Sequence, residues 1–226
     1  MENSDLLPML PVARLGRSWG WRLERGENLP RVEAVLARGR PVAVFQDAGR
    51  CEWWKAFGGW PHSCERLDAW PAVVNWEALL IISDRVLPPL PAELEDRTLV
   101  YRPPSLTVGI ACRRGVEPEE LEAALLTLFE HHRLSRPCVT ALAASTGRKH
   151  EPGLLAFAED HALPFLTYAR DKLLIARAAA GTKGGRLRAA ESCEPAALLA
   201  AGVKEIVVGK TLFRRLALAV ARRSFA

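Results

Sequence analysis

The chain has 226 residues, of which 49% are hydrophobic and 25% charged, with a formal net charge of +5. That is the make-up of an ordinary globular protein with enough material for one large core or two small ones, and no apolar run approaches the ~20 residues needed to cross a bilayer. The acidic start, Met1-Glu2-Asn3-Ser4-Asp5, lacks a basic n-region, so no secretory signal is expected and the protein reads as cytoplasmic.

In chain order, the first dozen residues are rich in Pro and Leu and read as irregular. A short helix is predicted over Leu29 to Leu36, stopped at Gly39, followed by an apolar strand from Pro41 to Phe45 that ends in the polar turn Gln46-Asp47-Ala48-Gly49. Cys51 to Phe57 reads as a short helical piece carrying Trp53 and Trp54, and Gly58 to Pro71, rich in Gly, Pro and Trp, reads as loop. Ala78 to Ile82 is a buried strand closing in Ser83-Asp84-Arg85, Thr98 to Arg102 is another, and Pro103-Pro104 marks a hinge.

Beyond the hinge β and α elements alternate more regularly. A strand at 107–112 runs into Arg113-Arg114-Gly115, and a helix at 117–130 follows, with Pro118 in its first turn and Leu121, Leu125 and Leu128 on one face. Cys138 to Ala143 is strand-like, Ala144 to His150 is loop, and Pro152 suits the first position of a helix. A strand at Pro164 to Tyr168, a helix opening at Asp171, a Gly- and Lys/Arg-rich loop at Ala180 to Arg188 and a helix from Glu194 to Ala201 come next. Glu205 to Val208 and Leu216 to Ala221 close the chain as two strands. The fold class is therefore α/β: a three-layer α/β/α sandwich preceded by a smaller α/β domain, with domains at 1–104 and 105–226.

Composition supports that division. Residues 1–104 carry a net charge of −1 and hold all seven tryptophans, whereas residues 105–226 carry +6. A basic domain favours a polyanionic partner, but this half holds few aromatics and no nucleic-acid-binding module, so a small polyanion is the better fit and no nucleic acid is expected. The five cysteines and five histidines form no CxxC, HxxxH or HExxH pattern, so no metal site built from protein ligands is expected and the thiols read as reduced.

The chemistry-bearing segments each have a plain structural reading beside the functional one. Arg113, Arg114 and Gly115 put positive charge and free N–H groups at the carboxyl edge of a sheet, where α/β proteins bind anions; alone they could be solvated loop charges. Arg148, Lys149 and His150 precede a helix start, with Glu151 available as a base or simply as a cap. Gly181-Thr182-Lys183-Gly184-Gly185 lacks the spacing of a phosphate loop. Ser192-Cys193-Glu194-Pro195 could hold a nucleophile but reads more simply as a Ser helix cap. Asp47 and Asp84 both follow apolar strands and could face one crevice; turn formation is the commoner role.

In order along the chain, VGIACRRG (108–115), HEPGLL (150–155), SCEPAALLAAG (192–202) and VVGKTLFRRLALAVA (207–221) resemble the C-terminal domain of the CbiG family of cobalamin-biosynthesis proteins and its stand-alone relative CobE. Residues 28–54, 79–85 and 99–110 resemble the CbiG central region, so the resemblance covers about residues 20 to 222. The family's usual N-terminal domain has no counterpart here. Thr146-Gly147-Arg148-Lys149-His150 stands where the family has Asp-Leu-Lys before Glu-Pro-Gly-Leu, and Ala217 stands in place of a Thr.

The resemblance implies a role in the anaerobic route to the corrin ring: a cobalt-precorrin-5A hydrolase or part of one, opening the ring-A lactone with release of acetaldehyde. The alternative is a non-catalytic, CobE-like binder of corrinoid intermediates. It implies Arg113, Arg114, Gly115, Arg148, Lys149 and Lys210 as substrate-binding residues and Glu151 as the catalytic candidate. Cobalt would arrive with the substrate, with no protein-bound cofactor. The partners implied are the corrinoid intermediate and either a separate CbiG N-terminal domain or a precorrin methyltransferase, with a homodimer left open and no membrane. Because a precorrin carries many acetate and propionate groups, a face of arginines and lysines is the complementary surface.

Overall fold

The computed structural model describes residues 10–70, 75–181 and 187–225. The described residues up to Pro104, together with Phe225, form one compact unit and Ser105–Ser224 the other, each with its own five-stranded sheet.

The first unit contains β1 (Arg22–Glu24), α1 (Leu29–Ala37), β2 (Val42–Gln46), β3 (Cys64–Leu67), β4 (Ala78–Ile82), α2 (Ala92–Glu95) and β5 (Thr98–Arg102). Its strand order is β1-β5-β4-β2-β3, parallel except for β1. Every residue of β4 and β5 is buried, as a strand covered on both faces requires. Val32, Val35 and Leu36 of α1 fall at helical spacing and pack with Trp53, Val42, Leu80 and Tyr101 on one face of the sheet, while Leu79, Ile81, Leu94 and Val100 face the other way.

The structure revises two expectations and adds two elements that were not foreseen. Gly58 to Pro71 is not all loop, since Cys64–Leu67 forms the edge strand β3, paired in parallel with β2. β1 and the single-turn α2 carry no strong period of their own; β1 is held by three antiparallel partners on β5, and α2 by burial of Leu94. Trp53–Phe57 is a 3-10 turn, with Trp53 fully buried and its indole N–H donating to Gln46 Oε1 at 3.0 Å.

The second unit contains β6 (Leu106–Cys112), α3 (Pro118–His131), β7 (Val139–Ser145), α4 (Pro152–Asp160), β8 (Phe165–Tyr168), α5 (Arg170–Ala179), α6 (Cys193–Ala201), β9 (Ile206–Leu212) and β10 (Leu216–Arg222). The order is β8-β7-β6-β10-β9, with β10 antiparallel to both its neighbours, so β6 to β9 all end at one edge. Period-2 alternation sorts β6 between two cores. Val108, Ile110 and Cys112 meet Leu121, Leu125, Leu128, Leu154 and Phe157 of α3 and α4, whereas Ala111 packs with Cys193, Ala217 and Ala219 on the α6 side. Helices on both faces make this unit a three-layer α/β/α sandwich.

Close approach fixes the middle of this sandwich. A Cβ built on Gly109 of β6 would lie 1.9 Å from the carbonyl oxygen of Cys193, so α6 rests directly on the strand backbone. Thr107 Oγ1 donates to the Ala197 carbonyl at 3.0 Å beside it. On the opposite face of the sheet, α3 opens with a capping box between Glu117 and Glu120.

Cys64, Cys112, Cys138 and Cys193 are buried and Cys51 is exposed. Burial pushes the Cys112 thiol up to about 11 and that of Cys193 up to about 12, so both stay protonated at neutral pH and are poor nucleophiles. Native protein treated with a disulfide reagent at neutral pH is expected to release one equivalent of thiol quickly and the rest only on unfolding, and Cys51→Ser should abolish the fast phase. Two or more fast equivalents would contradict this burial pattern.

Candidate functional site

At the carboxyl edge of the second sheet, β6 ends in Arg113, Arg114 and Gly115, all exposed. Gly115 turns the chain at φ +69°, a conformation open to glycine at no steric cost, and the loop then enters α3. β7 ends at Ser145, passes through a 3-10 turn at Thr146–Arg148, and enters α4 at Pro152. The hairpin between β9 and β10 brings Phe213, Arg214 and Arg215 to the same edge, because Leu216 is paired with Cys112.

Five hydrogen bonds lock these loops together. Gly115 N donates to Glu151 Oε1 at 2.6 Å, and Glu151 is only 7% exposed; a short bond to a buried carboxylate is of the charge-assisted kind. Arg148 Nε donates to the Cys112 carbonyl at 2.8 Å. Arg215 donates to Glu120 Oε2 at 3.0 Å and to the Arg114 carbonyl at 2.8 Å, while Arg113 N donates to the Arg215 carbonyl at 2.9 Å. Gly153 completes the dock: a Cβ there would lie 1.9 Å from the Val116 carbonyl oxygen.

Two depressions flank the end of β6. One, of about 460 Å³, is lined by Arg114, Gly115, Lys149, His150 and Glu151 together with Thr146, Gly147 and Pro152. The other, of about 230 Å³, has a floor of the buried Ala111 and Ala217 and a rim of the exposed Arg113, Ala190, Leu212 and Arg214. Among the described residues, Arg113, Arg114, Lys149 and Arg214 have no ion-pair partner, although other arginines of the unit do: Arg136 with Glu122, Arg177 with Glu191 and Arg215 with Glu120. Against these four cations the two depressions carry one carboxylate, Glu151, so the edge keeps a net positive charge that can receive an anion.

The sequence-predicted residues therefore separate. Arg114, Gly115, Lys149 and Glu151 line one depression, with His150, and Arg113 lines the next. Arg148 is engaged by the backbone carbonyls of Cys112 and Gly147, which makes it a brace for the β6 end. Lys210 lies two residues before the end of β9, its N–H donating to Glu194 Oε1 at 2.8 Å and its ammonium close enough to Glu191 to help hold that carboxyl below its ordinary range, after the backbone hydrogen bond from Arg188.

Arg214, Arg215 and Leu212 were missed as site residues; two arginines between two closing strands were the available signal. Ser192 takes the N-cap position of α6 without a side-chain capping bond. Thr182 to Gly185 of the glycine-rich segment lie outside the described residues. Asp47 and Asp84 do stand at neighbouring strand ends of the first unit, where Asp47 N donates to the Ile82 carbonyl at 3.1 Å. Asp84 is buried and Arg85 Nε lies 3.8 Å from Asp47 Oδ2, an ion pair that suits a turn. Among the described residues no three His, Cys, Asp or Glu side chains cluster as metal ligands, and no helix is long and apolar enough to cross a membrane.

The family described as "Cobalamin synthesis G C-terminus" matches residues 106–221, and the one described as "Cobalamin biosynthesis central region" matches residues 11–103. The chain is 27% identical, over 172 residues, to a cobalt-precorrin-5A hydrolase of Priestia megaterium, covering 75% of this chain and 46% of that protein. It thus spans about half the length of the curated relative it matches. Among solved structures it is similar to CobE, a protein from the cobalamin biosynthetic pathway, at 30% identity and a TM-score of 0.44, over 53% of this chain and 91% of that one. It is also similar to a cobalamin biosynthesis protein of Agrobacterium tumefaciens, at 23% identity and a TM-score of 0.44, over 53% of this chain and 99% of that one. A putative cobalamin biosynthesis protein G homologue from Sulfolobus solfataricus is 15% identical with a TM-score of 0.43, over 94% of this chain and 60% of that one.

Proposed function

This chain belongs to the CbiG/CobE family of cobalamin-biosynthesis proteins, and we propose that it binds cobalt-precorrin-5A at the basic edge of its second sheet and takes part in opening that ligand's ring-A lactone with loss of acetaldehyde. The observation that carries the reading is the pair of cations at this depression, Arg114 and Lys149, that have no ion-pair partner among the described residues. They match the acetate and propionate groups of a precorrin, and guanidinium groups bind carboxylates through a planar fork.

The reaction consumes one water. The water adds to the lactone carbonyl, and the acyl C–O bond breaks to give a ring-A carboxylate and an alcohol on the two-carbon unit. Loss of the alcohol proton forms the C=O of acetaldehyde as the C–C bond to the macrocycle breaks, and the electron pair and a proton end on the macrocycle. Arg114 and Lys149 are placed to hold the carboxylates, including the new one, in a site where fixed charge needs no reorganisation. His150 and Glu151 are the groups in this depression able to move a proton. Glu151 also holds the loop through Gly115, so it positions as well as reacts. Cobalt belongs to the substrate in this scheme.

A second reading, binding and presentation without turnover, is favoured by the engagement of Glu151, whose buried carboxylate already accepts the Gly115 N–H. Acetaldehyde release from cobalt-precorrin-5A, measured with this chain alone through an alcohol dehydrogenase couple, separates the two. Stoichiometric acetaldehyde supports hydrolysis, binding without acetaldehyde supports the second reading, and no binding overturns both. The double variant Arg113→Ala/Arg114→Ala is expected to bind at least about 10-fold more weakly, since bonds to charged groups are worth roughly 1.5–3 kcal/mol each. Its unfolding midpoint should stay put, because among the described residues neither side chain has a partner to lose.

A further inference from the structure

We infer, on the basis of the reading above, that the ligand seat is two-sided: a rigid polycarboxylate ring straddles the end of β6, with one edge at Arg114 and Lys149 and the opposite edge over Leu212 between Arg113 and Arg214. Strand geometry is the first reason. Arg113 N continues the β6–β10 ladder, whereas Arg114 stands in the turn that leaves the strand, and each lines a different depression. The adjacent arginines therefore cannot clamp one carboxylate; they serve two, one on each side of the strand.

Register supplies the second reason. Ala111 pairs with Ala217, and Ala217 pairs with Leu212, so these three side chains share the α6 face of the sheet with Arg113. The alanines are buried and leave a shallow floor, and beside it Leu212 is 66% exposed. A large aliphatic side chain held in water at a strand end next to two unpaired guanidinium groups suits a ligand with an apolar face and an acidic rim. A small di- or tricarboxylate would fill one side alone. A macrocycle with carboxylates around its circumference reaches both, and its flat face covers Leu212.

The test is an absorbance titration of the full chain with uroporphyrin I, a flat ring carrying eight carboxylates, against Arg114→Ala, Arg214→Ala, Leu212→Asn and the control Lys204→Ala. Lys204 is exposed at the amino end of β9, the edge opposite the site. Arg114→Ala and Arg214→Ala are each expected to weaken binding about 5- to 20-fold and Leu212→Asn several-fold, with Lys204→Ala within about twofold of the parent. All four positions are at the surface, so unfolding midpoints should be unchanged. If Arg114→Ala weakens binding while Arg214→Ala and Leu212→Asn do not, the two-sided seat is wrong and the proposed function stands. If Lys204→Ala weakens binding as much as Arg214→Ala, the effect is net charge and the seat is again wrong. If the parent chain does not bind the porphyrin, or Arg114→Ala has no effect, the carboxylate-binding edge itself is overturned along with the seat.

Discussion

Alanine at Gly109 is expected to destabilise the second unit by about 3 kcal/mol or more and to lower its thermal midpoint by roughly 10 °C or more. The added methyl would lie 1.9 Å from the Cys193 carbonyl oxygen and 2.8 Å from the Ala197 nitrogen, both backbone atoms of α6. No side-chain rotation relieves such a clash, so α6 must lift from β6. Lifting it uncovers Ala111, Ala217 and Ala219 and breaks the bond from Thr107 Oγ1 to Ala197. Small residues on both partners permit this approach, and they make the layer intolerant of added volume. Differential scanning calorimetry of the variant checks it. A midpoint within about 2 °C of the parent would mean that α6 does not rest where it is placed here.

Glu151→Ala is the second large effect. The carboxylate is buried and accepts the Gly115 N–H at 2.6 Å, and a bond of that kind contributes about 2–3 kcal/mol. Its loss should free the Arg113–Val116 loop from α4. Amide exchange at Gly115 is expected to accelerate roughly 30-fold or more, and corrinoid binding to weaken about 10-fold as Gly115 and Lys149 lose their fixed approach across the depression, while Arg215 still holds the backbone of Arg113 and Arg114. Glu151→Gln keeps an acceptor oxygen in place, so loop docking and binding should stay within a few-fold of the parent. If Glu151 moves a proton in the reaction, that same variant should lose acetaldehyde release by about 10²- to 10⁴-fold. Retained turnover in Glu151→Gln would leave Glu151 a positioning residue and turn attention to His150.

Where local chemistry and tertiary demand agree, the sequence was readable. Pro118 with Glu117 and Glu120 announced the start of α3, Pro152 that of α4, and Gly202, at φ +69°, the end of α6. The unbroken apolar runs of β4 and β6 needed no period because both faces are covered. β3 was hidden because Cys64-Glu65-Arg66-Leu67 is a short, partly exposed edge strand amid Gly, Pro and Trp; its partner β2 is what makes it a strand.

The site was half visible for a related reason. Runs of cations can be counted along a chain, but which of them remain available depends on neighbours. Arg148 turned out to be bound to a carbonyl on another strand and Arg215 to a carboxylate on α3. Arg113 and Arg114 read as a pair in one dimension; in three, the ladder keeps the first and the turn carries the second to a different depression.

The triple engagement of Arg215 has a mechanical consequence. By gripping both Glu120 and the Arg114 carbonyl, while its own carbonyl takes the Arg113 N–H, it welds the tip of the last hairpin to the turn after β6. The two rims then have a fixed spacing, like the jaws of a caliper set before measurement. A guest of the wrong width is refused by a rigid gap, and a guest of the right width meets a gap whose ordering entropy was already spent during folding.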